Sequence, residues 1–150
     1  MDDLYFEDFH VGRKFESESA TLTEDDIIAF GERYAPLPYH TDPIAAKDTM
    51  FKGLVAAGYQ TAALSFGLFV RTGAFGAAGM GSPGVDELRW LRPVRPGDSL
   101  RVIAEVLESS PARSSGGRDA IRMKYDTLNQ KGETVMTAIA THYLRRRPRK

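Results

Sequence analysis

The chain has no cysteine among its 150 residues. Disulfides, thiolate metal centres and cysteine nucleophiles are thereby excluded, and a reducing cytoplasm is the compartment the composition fits. It also lacks an excess of either charge. Lys plus Arg and Asp plus Glu stand at 20 each, so no global field draws the chain to nucleic acid or to a membrane surface. No long apolar run is present: the longest nearly charge-free stretch, residues 53–70, contains Gln60 and Ser65 and predicts a buried helix rather than a membrane span. The acidic opening, Met1 to Asp8, is unlike a secretory leader. Histidine is scarce, with three in all. Neither His10 nor His142 has companion carboxylates at metal-ligand spacing, so no metal is expected. No Gly-x-Ser-x-Gly nucleophile elbow occurs.

What is present suits one globular domain over residues 1–150, with 42% hydrophobic and 27% charged residues. Residues 1–20 suggest a short irregular or extended opening. Thr23 followed by Glu24, Asp25 and Asp26 reads as a capped helix start with acids at the positive end of the dipole. Ile27, Phe30 and Tyr34 share one face of that helix, and Pro36 and Pro38 end it. His40 is then expected in a stiffened turn, with Asp42 capping a further turn that opens on Pro43. From Gly58 to about Val70 the chain is apolar nearly all round, which predicts a helix covered on every side. A glycine-rich connection over residues 73–84 is expected to be flexible. Four strand patterns follow: Val85 to Val94, a strand in which Leu100, Val102, Ala104 and Val106 alternate, Ala120 to Leu128 with Ile121, Met123 and Tyr125 on one face, and Glu133 to Leu144. The predicted class is α+β, an antiparallel sheet folded around one central helix. The basic tail, Arg145 to Lys150, is expected to be a flexible, solvated end. Gly79-Met80-Gly81-Ser82-Pro83-Gly84 matches the letters of a dinucleotide-binding loop. It follows a helix and precedes a strand, the reverse of what that motif requires.

The stretch Tyr34-Ala35-Pro36-Leu37-Pro38-Tyr39-His40-Thr41-Asp42-Pro43 carries the most chemistry. A neutral imidazole exchanges protons near neutral pH, and a glycine opening an apolar helix leaves unpaired N–H groups at a positive helix end. A lone turn histidine would ordinarily bond a nearby backbone group, and a glycine such as Gly58 would ordinarily serve close packing. With Phe51-Lys52-Gly53-Leu54-Val55-Ala56-Ala57-Gly58 and Leu88-Arg89-Trp90-Leu91-Arg92-Pro93-Val94-Arg95-Pro96-Gly97-Asp98, the stretch resembles the MaoC-like dehydratases, or R-specific enoyl-CoA hydratase-like proteins. The likeness runs roughly from Phe6 to Leu144. It implies a hotdog fold, a long helix held in a curved antiparallel sheet. It also implies a homodimer, an acyl-CoA or acyl-carrier-protein thioester as ligand, and no cofactor.

Active members of that family read Asp, four residues, His in the turn. By this resemblance His40 is the catalytic histidine and Gly58 supplies the N–H that polarises a thioester carbonyl. Tyr34, Ala35, Tyr39, Ala57 and Tyr59 fall at substrate-binding positions. The family aspartate is replaced by Ala35, which can neither accept nor donate a proton. Asp42 and Glu32, the nearest acids in sequence, are read as a turn cap and a solvent-facing helix residue. Three functions compete: a 2-enoyl thioester hydratase or dehydratase, a non-catalytic acyl-CoA binder, and a hotdog thioesterase. The last fits least, because residues 59–70 hold no acid. Arg89, Arg92 and Arg95 are candidates for CoA phosphates, and Trp90 for a core or dimer contact.

Overall fold

The computed structural model describes residues 2–149. A 3-10 turn, Phe6–Asp8, precedes strands β1 (Lys14–Glu16) and β2 (Ala20–Thr21). Helices α1 (Glu24–Tyr34) and α2 (Pro38–Thr41), a 3-10 turn at Ala45–Asp48 and the long helix α3 (Gly58–Val70) follow. Strands β3 (Gly84–Trp90), β4 (Ser99–Ser110), β5 (Ala120–Leu128) and β6 (Thr134–Tyr143) complete the chain. The sheet is antiparallel, in the order β1-β4-β5-β6-β3 with β2 also on β4. Among the described residues, no helix is long and apolar enough to cross a membrane.

Period-two patterning sets the sheet's inner face. Leu100, Val102, Ala104 and Val106 on β4 and Ile121, Met123 and Tyr125 on β5 are buried, with intervening residues more open. Each large apolar side chain sealed this way contributes roughly 1.5–3 kcal/mol of transfer free energy. α3 lies on this face. Its Phe69 ring meets Tyr125 edge-on at 5.2 Å, and its Ser65 hydroxyl bonds Thr127 Oγ1 on β5 at 2.7 Å. This is the hotdog arrangement of a helix held against an antiparallel sheet. Register shifts between Val106 and Glu108 and between Asp86 and Arg89 are bulges, which bend strands.

Cover over α3 is not complete within one chain. Leu68 and Phe69 are buried, but Tyr59, Phe66 and Val70 stay exposed along one stripe. β3 ends the sheet with one neighbour, β6, and carries exposed Val85 and Trp90. Trp90 is therefore not a core residue. The connection after α3 is not a free loop at its start, since Ala74 and Ala78 are fully buried. At the chain's end, Arg146 pairs with Asp119 at 2.8 Å and Arg147 with Asp8, and Phe6 N–H bonds the Arg145 carbonyl at 3.0 Å.

Candidate active site

α1 begins as the sequence predicts. Thr23 Oγ1 accepts from Asp26 N–H, and Asp26 Oδ2 accepts from Thr23 N–H, both at 3.1 Å, the reciprocal capping box. The helix ends at Tyr34, and Ala35 leaves it with a non-helical backbone (φ −150°, ψ 69°). His40 then lies in a one-turn helix rather than an irregular turn. Pro38 opens that turn, where its fixed φ suits the first helical position and its missing N–H costs nothing. Asp42 Oδ1 caps the next turn, accepting from Ile44 and Ala45 N–H at 2.9 and 3.1 Å.

Gly31 sets how closely α1 approaches this histidine. A methyl group there would come within 2.5 Å of the His40 carbonyl oxygen, so another residue would push the turn away. On its other side, Val55 N–H bonds the Tyr39 carbonyl at 2.9 Å, and Ala56 N–H bonds that of Val94 at 2.8 Å. The segment entering α3 is thus clamped between the His40 turn and the chain after β3. His40 Nδ1 lies 2.7 Å from the Val55 carbonyl oxygen. A carbonyl only accepts, so Nδ1 carries the hydrogen. In the neutral ring Nε2 is then the basic nitrogen, and it has no partner among the described residues.

Gly58 opens α3 under the indole of Trp90. A methyl group there would lie 2.5–2.8 Å from three indole atoms, and Trp90 Nε1 donates to the Gly58 carbonyl at 2.9 Å. Ala57, the residue before the helix, offers no side-chain cap. The N–H groups of Gly58 and Tyr59 have no hydrogen-bond partner among the described residues, as the geometry of a helix start leads one to expect.

These pieces enclose one cavity of about 480 Å³. Of the residues singled out from the sequence, Ala35, Tyr39, His40, Ala57, Gly58 and Tyr59 line it. Tyr34 stands outside, exposed, with its ring against Phe30. The wall also includes Leu37, Phe51, Val55, Thr61, Trp90 and Arg92. Thr61 had no signal in the sequence beyond its place one turn after Gly58. No Asp or Glu lines the cavity. Arg92 is held by Glu133 at 3.1 Å. Arg95 is engaged in structure, its guanidinium donating to the Phe51 carbonyl at 2.5 Å and its N–H to Asp98.

A second cavity, about 250 Å³, lies further along α3, lined by Ala62, Phe66, Leu88, Met136 and His142 among others, with no Asp, Glu, Lys or Arg among the described residues of its wall. His142 Nε2 meets the Tyr125 hydroxyl at 2.6 Å, and the ring packs between Phe66 and Phe75. Burial lowers the pKa of His142 to about 4 and raises that of the Tyr125 phenol. The pair is neutral at pH 7.

Residues 8–124 match the model of the MaoC like domain. The crystal structure of the MaoC-like dehydratase from Rhodospirillum rubrum superposes with a TM-score of 0.89 at 39% identity, covering 97% of this chain and 99% of that one. R-hydratase PhaJ1 from Pseudomonas aeruginosa gives 0.76 at 28% identity, over 97% of this chain and 88% of that one. Protein YdeM of Bacillus subtilis, itself uncharacterised, is 32% identical over 85% of this chain and 89% of its own length. With a helix-on-sheet fold of the same shape and a family match over most of its length, this chain belongs to the MaoC-like dehydratase family.

Proposed function

We propose that the larger cavity binds a 2-enoyl thioester of CoA or of an acyl carrier protein and adds water across its double bond, or removes water in the reverse direction. The observation that carries this reading is the pairing of His40 Nε2, left free by the bond from Nδ1 to Val55, with the unpaired N–H groups at the start of α3 in one cavity. The thioester oxygen sits on the Gly58 N–H. As the oxygen of water bonds to C3, negative charge gathers on that thioester oxygen, where backbone donors and the helix dipole stabilise it. Nε2 takes the water proton and returns one to C2, so the reaction nets one water added. Tyr39, Ala57 and Tyr59 shape the wall around the reacting atoms. The tail extends along α3 toward the second cavity, whose wall without charge suits an uncharged chain.

The replacement of the family aspartate by Ala35 leaves His40 without a carboxylate partner. A positioned acid–base group typically contributes about 10²- to 10⁴-fold in rate. The absence of any carboxylate in the cavity wall favours one second reading, a protein that binds acyl-CoA without turning it over. Crotonyl-CoA separates the two. Hydration by the wild-type protein, lost about 10²- to 10⁴-fold in His40→Ala, is the expected result. Binding by calorimetry with no turnover on a panel of enoyl-CoAs selects the second reading, and no binding at all removes both.

The exposed stripe of α3 and the free edge of β3 fit a second copy of this chain, which would cover Tyr59, Phe66, Trp90 and Leu91. Sedimentation at twice the chain mass is expected; a monomer at micromolar concentration contradicts it.

A further inference from the structure

The His40 cavity has a missing carboxylate, and its wall offers few groups to take the place. Trp90 Nε1 is spent on the Gly58 carbonyl, and Arg92 on Glu133. Tyr59 lies on the exposed stripe assigned above to a second copy, and Tyr39 is only partly buried, so neither hydroxyl is fixed within this chain. Thr61 is different. It is 2% exposed, it lines the cavity, and its hydroxyl has no hydrogen-bond partner among the described residues. Nor is that hydroxyl sealed away: among those residues Gln60 Oε1 is the sealed side-chain polar atom without a partner. Buried hydroxyls are rarely left unpaired, so one unpaired in a cavity wall is set for whatever the cavity holds.

Its direction follows from helix geometry. Thr61 comes three residues after Gly58 and so shares its face of α3, and Cα–Cβ bonds tilt toward the helix N-terminus. The side chain that carries the hydroxyl therefore leans toward the unpaired N–H groups at the start of α3. The Thr61 backbone is held in place, its N–H bonding the Ala57 carbonyl at 3.2 Å and its carbonyl accepting from Ser65 Oγ at 2.7 Å.

We propose that the Thr61 hydroxyl is a positioning residue that holds the attacking water together with His40 Nε2, in place of the carboxylate that Ala35 removes. This rests on the hydration reading above. Water donates one hydrogen to Nε2 while its oxygen is oriented by Thr61; the O–H bond breaks toward Nε2 as the C3–O bond forms, and the proton passes from Nε2 to C2.

Thr61→Val keeps shape and volume and deletes an unpaired hydroxyl, so it is not expected to destabilise the fold. The expected result is a fall in kcat of roughly tenfold with KM and melting temperature near wild type, and recovery in Thr61→Ser. Thr61→Ala gives the same reading should the valine variant fold poorly. Unchanged kcat in both Thr61→Val and Thr61→Ala, in a protein whose turnover His40→Ala abolishes, overturns this inference and leaves the hydration reading intact. A serine variant as slow as the valine one also overturns it. No turnover by the wild type overturns the hydration reading, and the role of Thr61 falls with it.

Discussion

His40 and His142 are about equally buried, at 8% and 5% exposure, yet they are placed for opposite purposes. His40 spends Nδ1 on a backbone carbonyl, leaves Nε2 without a partner among the described residues, and lines a cavity of about 480 Å³. His142 spends Nε2 on a phenol and is packed between two phenylalanines, with its pKa held down to about 4. Burial alone therefore does not mark a working histidine. What separates the two is that His40 has its tautomer fixed by Val55 and its other nitrogen unpartnered in the wall that also holds the start of α3.

Substitution at the two positions breaks this comparison most strongly. His40→Ala is expected to cost about 10²- to 10⁴-fold in turnover, or about 3–5 kcal/mol of transition-state stabilisation, with a smaller loss of stability, about 1–3 kcal/mol, from the unpaired Val55 carbonyl. Turnover kept by a folded His40→Ala protein would contradict a chemical role for His40.

A smaller effect concerns acid stability. The neutral form of His142 is favoured in the folded chain, whereas the unfolded chain takes up the proton near the ordinary value of 6.5. The stability this group supports is therefore present above pH 6.5 and is lost as pH falls toward about 4. The depression corresponds to on the order of 3 kcal/mol. Melting temperatures at pH 7 and pH 4.5 measure it. The drop between them should shrink in His142→Gln, whose amide can still meet the Tyr125 hydroxyl; an equal drop in both proteins would show that His142 is not the group responsible.

The same two histidines show what a sequence discloses. His40 is legible because local constraints surround it: two prolines before it, Asp42 as a cap after it, and a helix-opening glycine at a recognisable distance. α1 and α3 were legible through their cap and their glycine start, and β4 and β5 through period-two burial. His142 carried no such signal. Its partner Tyr125 lies on the neighbouring strand, where it opposes Ala138 while His142 opposes Ile121, and a contact between strands depends on register, which no single segment states. Thr61 was missed for a related reason, since a threonine within an apolar helix looks like packing until the opposite wall is known. Of the two places expected for Trp90, the core one fails, because strand alternation says which residues share a face but not that a glycine 32 residues away lets an indole lie on a helix end. The uncovered stripe of α3 was invisible for the same reason: composition shows that a helix needs cover and does not show what supplies it.

The central claim is that His40 works in a thioester site from which the family carboxylate has been removed at position 35. Ala35 lines the cavity, and its negative φ of −150° places no glycine-only constraint on an aspartate there. The most direct measurement is therefore kcat for hydration of crotonyl-CoA by Ala35→Asp beside the wild type. A rise of about 10²-fold is predicted. An unchanged rate in an active wild-type protein would contradict the claim, because position 35 would then not face the reacting water.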